Sequence, residues 1–425
     1  MINKLVSGLA LVAATFGTAL AQQPPESQPQ PQPAPPPTEP EPQPQPQPPP
    51  DPTPPPVMVP APETKPAGTT GYDKGFFIKN DDGRYSLRIN ARAQPFLNIT
   101  RVGGDPADTR PAFEIRRARL TLEGNLHTKA LGYKFQSDFG KGFVTLKDFY
   151  FDIEPAKGTY IRVGQWKRPF SRQQITSSGR LEVTDRSITD RAMGAGRDIG
   201  IAIHNNYEKS PDVEWAVGLY NGTGDTPRLG GVVVEVDPMT GEGTTTGGTF
   251  SNVPAQFRPA LVGRVGINRN GIKGYSEADL EGGSVPRYGI GASVWLEADV
   301  DENDTSQQKV QLDYIIKHEG FSSTGGVFLM SDQTGTKPLA DQELSFIGFH
   351  VQGGFMVTPN WQPVARYALV HAQLAETDDQ EVAVGANYYA FGHDAKFSGA
   401  IRLLSVANSD LTDTVLVELG MNVGF

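Results

Sequence analysis

Arginine recurs in this sequence at spacings that suit contact with anions. In "RYSLRINARAQ", Arg84, Arg88 and Arg92 share alternate positions with Ser86, Asn90 and Gln94, opposite Leu87 and Ile89. In an extended chain, residues four apart stand about 13 to 14 Å from one another on one face. "FEIRRARLTLEG" sets Arg117 and Arg119 with Thr121 and Glu123 against Leu120 and Leu122, and Arg162 alternates with Ile161 and Val163. Lys134, Arg264 and Arg402 hold equivalent positions in later stretches. A third group has no alternation: Lys167, Arg168, Arg172, Arg180, Arg186, Arg191 and Arg197, against Glu182, Asp185 and Asp190. Guanidinium offers a planar fork to phosphate or carboxylate oxygens. One unit charge 7 Å from an anion contributes roughly 0.6 kcal/mol in bulk water and about four times that at an effective dielectric of 20, before screening over ~8 Å. A single arginine therefore selects nothing, whereas a file of them in a narrow passage makes weak serial anion sites. The competing reading is that these arginines snorkel or pair with Glu123, Asp138, Asp148 and Asp152.

The elements that would position such a file are strands. From Arg84 onward the pattern has period two, and it predicts sixteen strands, near 84–100, 112–126, 131–139, 143–154, 159–166, 197–207, 212–221, 257–268, 286–299, 308–319, 321–330, 343–357, 360–371, 381–391, 394–404 and 413–425. Outward sets include Phe149/Phe151/Ile153, Ile199/Ile201/Ile203, Val213/Trp215/Val217/Leu219 and Tyr288/Ile290/Val294/Leu296, with polar or small residues opposite. Most have the length of a tilted membrane strand. If the first strand rises from the periplasm, the inside turns "EPAKG", "EKSPD", "KHEG", "TPN" and "FGHD" are short, and outside loops such as "TRVGGDPADTRP" and "DVDENDTSQQ" are long. That asymmetry marks outer-membrane barrels. Two connections disobey it: the short outside "FGKGF" and the long inside stretch Arg269 to Pro286. The basic stretch between strands five and six then becomes the third extracellular loop, folded into the bore. The last strand, "TVLVELGMNVGF", places Leu419, Met421, Val423 and Phe425 on one face. Pairing it with the first strand removes both sheet edges, and an apolar face ending on an aromatic resembles the signal read by the barrel assembly machinery. The prediction is an all-β, transmembrane antiparallel β-barrel.

Composition sorts the remaining classes. The net charge is −10, yet Gly71 to Gly200 carries 23 Lys and Arg against 15 Asp and Glu, while Ile201 to Phe425 carries 13 against 28. The excess cations lie in the first part of the folded region. There is no cysteine, hence no disulfide or thiolate metal site. His127, His204, His318, His350, His371 and His393 show no metal spacing, there is no GxSxG, and "GAGRDIG" precedes a strand rather than a helix. The reading is a non-enzyme without cofactors, and an acidic exported chain fits nucleic acid badly. The acid clusters Asp299/Asp301/Glu302/Asp304 and Glu376/Asp378/Asp379 read as solvated loop tips. Residues 1–21 read as a signal peptide, with Lys4, an apolar core and the small-residue site Ala19-Leu20-Ala21. Residues 22–70 hold 22 of the 36 prolines and read as an extended periplasmic spacer. Residues 71–425 form the barrel.

With these residues in view, the chain resembles the phosphate-selective outer-membrane porins of the porin O and P family. The stretches that carry the likeness include "FEIRRARLTLEG", "LGYKFQSDFG", "IRVGQWKRPFSRQQITSS", "GRDIGI", "WAVGLYNGTG" and "VQGGFMVTPNWQPVARYA". The resemblance implies a homotrimeric, sixteen-stranded pore in the outer membrane of a Gram-negative bacterium, passing inorganic phosphate or other small anions and surrounded by outer-membrane lipid. It implies that Arg84, Arg88, Arg92, Arg117 and Arg119 supply a lumen ladder and that Lys167 to Arg197 supply a constriction loop. A structural barrel anchoring the Pro-rich arm to the cell wall, or a porin for other small solutes, are the alternatives.

Overall fold

Alternation of apolar and polar residues fixes which face of each strand meets which solvent, and the chain uses that rule throughout. The computed structural model describes residues 69–425, apart from 104–106, 225–227, 237–242, 255–256, 258, 298–304, 335–344 and 412. The signal peptide, nearly all of the Pro-rich spacer and the Asp299–Asp304 cluster lie outside the described residues.

Sixteen antiparallel strands close into a barrel. They are β3 (Ser86–Val102), β4 (Asp108–Leu126), β5 (Thr128–Asp138), β6 (Thr145–Ala156), β7 (Thr159–Lys167), β8 (Arg197–His204), β9 (Val213–Tyr220), β12 (Ala260–Arg269), β13 (Arg287–Glu297), β14 (Thr305–His318), β15 (Phe321–Thr334), β16 (Phe346–Phe355), β17 (Trp361–Ala372), β18 (Thr377–Phe391), β19 (Ala395–Ser405) and β20 (Thr414–Gly424). Each of the sixteen predicted strands has its counterpart. The ring closes where β20 pairs with β3, Val417 opposite Ile99 and Glu418 opposite Asn98. In β6, for example, Phe149, Phe151 and Ile153 are apolar and exposed, while Asp148 and Tyr150 on the opposite alternation are buried. The core is therefore on the enclosed face, where Trp166, Phe170, Met193, Tyr220, Trp295 and Phe328 cluster.

Four features depart from the prediction. A hairpin of β1 (Thr70–Tyr72) and β2 (Phe76–Lys79) precedes the barrel, and β2 pairs with β3 from Phe76 opposite Ile89 to Lys79 opposite Ser86. Since β20 pairs with β3 only from Gly424 opposite Arg92 upward, β2 continues the line of β20. A second hairpin, β10 (Arg228–Val236) with β11 (Gly243–Ser251), stands in the connection between β9 and β12. β4 starts at Asp108, four residues earlier than alternation suggests, because its pairing with β3 continues to Val102. The fourth is a bulge: Gln94 pairs with Arg117 and Pro95 with Ile115, leaving Arg116 as the extra residue. Proline cannot donate to the ladder, so it sits where the ladder is already broken.

Candidate functional site

The stretch 168–196 leaves β7 and returns to β8 after making contacts around most of the barrel. It carries two short helices, α1 (Arg172–Ile175) and α2 (Ile188–Met193), started by Ser171 and Ser187, whose side chains accept from the backbone N–H of Gln174 and Asp190. Arg172 donates to Asp313 of β14 (2.8 Å), and the Ile188 N–H donates to Glu381 of β18 (2.8 Å). Thr189 donates to the backbone carbonyls of Phe349 and Leu369, Lys396 of β19 to the carbonyl of Leu181 (2.6 Å), and Thr184 to Glu418 of β20. On β3, Arg92 donates to the hydroxyls of Ser177 (2.7 Å) and Ser178 (3.0 Å). A buried loop needs partners for its backbone, and the polar faces of these strands supply them. Its apolar residues Phe170, Met193 and Ala195 pack on Trp166, Tyr220, Trp295 and Phe328, all on the enclosed face.

Around this loop the cations divide into two groups. Arg162 is held by Asp152 through both its Nε and Nη2 atoms (2.8 Å each) and stacks on Tyr150. Arg119 pairs with Asp138 (2.8 Å) and Arg197 with Asp148 (2.6 Å). Arg168 pairs with Asp198 (3.0 Å) over the Trp295 ring. Arg172 shares Asp313 with Arg264, which also reaches Glu214. Arg117 contacts Gln94 and, at 3.4 Å, Asp185 of the loop. The second group is Arg92, Lys167, Arg180 and Arg191, with Lys396 of β19 on the far side of the loop, and none of these has a carboxylate within 4.0 Å among the described residues. Lys167 donates only to the carbonyls of Ile175 (2.9 Å) and Thr176 (3.0 Å). Arg180 and Arg191 are exposed. Arg92 lies in the field of Arg117, Arg119 and Arg180, and Lys167 in that of Arg186, Arg197 and Arg119. Arg186 donates to the carbonyls of Gln173 and Thr176 and flanks Asp190 at 3.6 Å. With Arg191, Asp185 and Asp190 it borders a cavity of about 320 Å³.

Two ladder candidates stand apart. Arg84 is not in a strand: it lies in the turn before β3, its side chain 61% exposed and paired with Asp82. Arg88 is in β3 but turns to Asp73 in the β1–β2 turn (3.3 Å). Lys167 and Arg197 prove to be the last residue of β7 and the first of β8, so they frame the loop rather than belong to it. Sequence reasoning missed Arg116, which the bulge turns to the same side as Arg117, where it meets Glu418 (2.7 Å), Glu114 and the ring of Phe96. Pro95 in the facing strand was the signal. It also missed Arg366, on the inward alternation of β17, which binds Glu381 and the carbonyl of Asp185 (2.7 Å).

The long connection between β12 and β13 is the other surprise. Ile272, Tyr275, Glu277, Ala278 and Asp279 within it are buried, and it reaches the loop. Arg172 donates to the carbonyl of Gly274 (3.1 Å), the Glu277 N–H to the carbonyl of Arg180 (3.1 Å), and the Glu182 N–H to the Glu277 carboxylate (2.7 Å). In the loop, burial raises the Asp185 carboxyl, but Arg117 and Arg186 outweigh that and hold it well below the usual range.

A closed sixteen-stranded barrel with an apolar exterior and a charged interior is a pore architecture. The model of the phosphate-selective porin O and P family matches residues 88–416. The chain belongs to that family. It is thus an outer-membrane porin. No curated protein matches it by sequence. Among solved structures it is similar to an anion-selective porin from Comamonas acidovorans (11% identity, 80% of this chain and 99% of that one, TM-score 0.53). It is similar also to the outer-membrane channel DcaP of Acinetobacter baumannii (13%, 82% and 99%, TM-score 0.52) and to OmpF of Salmonella typhi in complex with daunomycin (11%, 81% and 99%, TM-score 0.52). At these identities the likeness is one of fold.

Proposed function

We propose that this porin is a passive, anion-preferring diffusion channel that accepts inorganic phosphate, with residues 168–196 as its third extracellular loop, folded inward to narrow the bore. The observation that carries the reading is the set Arg92, Lys167, Arg180 and Arg191, on and beside the loop without carboxylate partners among the described residues. A guanidinium already neutralised by a carboxylate offers a passing anion little; one held by hydroxyls or carbonyls keeps its charge for the solute. The apolar packing of Phe170 and Met193 on Trp166, Tyr220, Trp295 and Phe328 fills one part of the enclosed space. The named solute of the Comamonas acidovorans neighbour, an anion, agrees in class.

The remaining parts of the proposal follow from the family. The chain assembles as a homotrimer, and the end of β20 serves as the assembly signal. In support of the latter, Phe425 exchanges backbone hydrogen bonds with Ala91 and sets its ring edge-on to Phe76 at 5.4 Å. The proline-rich arm then extends into the periplasm. Reversal potentials across planar bilayers in asymmetric KCl test the function: the expected result is anion preference with a current reduced by added phosphate. Cation preference with no effect of phosphate would refute it.

A further inference from the structure

Two carboxylates that the anion path does not use meet where the loop touches the β12–β13 connection. Glu182 and Glu277 are both buried, and a single amide nitrogen, Nε2 of Gln352, donates to Oε2 of each, at 3.2 and 2.8 Å. Glu277 Oε2 also accepts the Glu182 N–H, and Glu182 Oε1 accepts from Gln362 (2.7 Å) and touches the Ser322 hydroxyl. Two anions sharing one donor in an enclosed site repel strongly, and the least costly arrangement leaves one proton between them. The network has a place for it. A protonated Glu182 Oε1 donates to Ser322 Oγ, whose own hydrogen turns to the carbonyl of Gly354, 3.4 Å away.

We infer that Glu182 and Glu277 form a proton-dependent clasp joining the loop to the β12–β13 connection, and that losing its proton to water in the bore loosens the loop and changes conductance. The inference rests on the proposed reading that the loop sets the bore. The charged and titratable groups facing the clasp are Lys396 of β19, Lys317 of β14, Tyr389 of β18, Asp190 and Arg180 of the loop, and His393 in the β18–β19 turn, through Ser276. Lys396 and Lys317 oppose the carboxylates in charge, and neither comes within 4.0 Å of them among the described residues. Burial, and then the Glu277 charge, push the Glu182 carboxyl up to about 7. Its neutral form is the favoured one in the folded protein, so the clasp is intact below neutrality and weakens as pH rises through that value.

The test is single-channel conductance of the full chain in KCl, because chloride does not titrate, from about pH 6 to about pH 8.5. The expected result is a conductance step with rising pH in the unaltered porin, lost in both Glu277→Gln and Glu182→Gln. A flat profile, or a step retained in both variants, overturns the clasp. Hydrogen exchange of residues 181–184, corrected for intrinsic rates, decides independently if a variant fails to insert: unchanged protection across the same range in the unaltered porin also overturns it. Reversal potential at the lower pH tests anion preference separately, so cation preference with an intact step condemns the proposed function and not the clasp.

Discussion

On the β12–β20 side of the bore Arg264 lies between Glu214 and Asp313, Arg287 against Asp279, and Arg366 and Arg402 together on Glu381. On the β3–β7 side, Arg92 is held by two serine hydroxyls and Lys167 by two carbonyls. The first arrangement is structural: charges enclosed with their partners contribute cohesion only while both members remain. The second leaves the Arg92 guanidinium without a carboxylate beside the loop that we propose narrows the bore. The same residue type thus does two jobs, and the difference is where the carboxylates stand. It also accounts for the charge split of the sequence, because the acids of the second half meet arginines from both halves, as Glu418 meets both Arg116 and Arg402.

The hardest blow to this comparison is struck at Glu381. Glu381→Gln leaves Arg366 and Arg402 without their shared carboxylate, and the barrel should lose about 3 to 5 kcal/mol of stability. Urea unfolding in detergent measures it; a loss below about 1 kcal/mol would mean that this side is not held by its ion pairs. Next in size is the open side. Arg92→Gln combined with Arg180→Gln removes two unmatched cations and should lower the anion-to-cation permeability ratio by roughly tenfold, equivalent to about 1.4 kcal/mol. Arg88→Gln removes one cation, from a residue turned to Asp73, and should leave the ratio unchanged within about 20%, whereas Arg92→Gln alone should lower it. Equal effects of Arg88 and Arg92 would erase the distinction between matched and unmatched cations.

How much of this was legible beforehand depends on which interactions are local. Strand order, the closing pair and the inward or outward placement of Phe149, Tyr288 or Leu419 follow from alternation, because each residue's solvent is decided by its own parity. The short pairs Arg162–Asp152 and Arg119–Asp138 were also foreseeable, since neighbouring strands bring them together. The pairing of Arg116 with Glu418, or Arg172 with Asp313, was not: these depend on ring closure and on the path of a loop with no periodicity. Arg116 was further hidden by the bulge, which makes two adjacent residues face the same way and breaks the parity rule. The long β12–β13 connection is anomalous as a turn because its role is to reach the loop, which the contacts of Tyr275 with Arg172 and of Glu277 with Glu182 reveal. Arg84 was drawn into the ladder by spacing alone, although Asp82 two residues away captures it.

A further predicted effect, of about 1 kcal/mol, probes a carboxylate that bridges the two regimes. Asp185 belongs to the loop, faces Arg117 at 3.4 Å and retains 24% exposure of its side chain, so its pairing is worth less than an enclosed one. Asp185→Asn should cost about 1 kcal/mol near neutral pH. Because Arg117 and Arg186 outweigh burial and hold this carboxyl below its usual range, its stabilising contribution exists above the unfolded value of about 3.9 and is lost as pH falls through the lower folded value. The stability difference between the unaltered porin and the variant should therefore stay constant from about pH 7 to about pH 5 and shrink only below about pH 4. Urea midpoints of both proteins across that range check it. A difference that does not change with pH down to about pH 2 would show Asp185 to be an ordinary solvated carboxylate, and Arg117 would then join Arg92 among the cations left free for the solute.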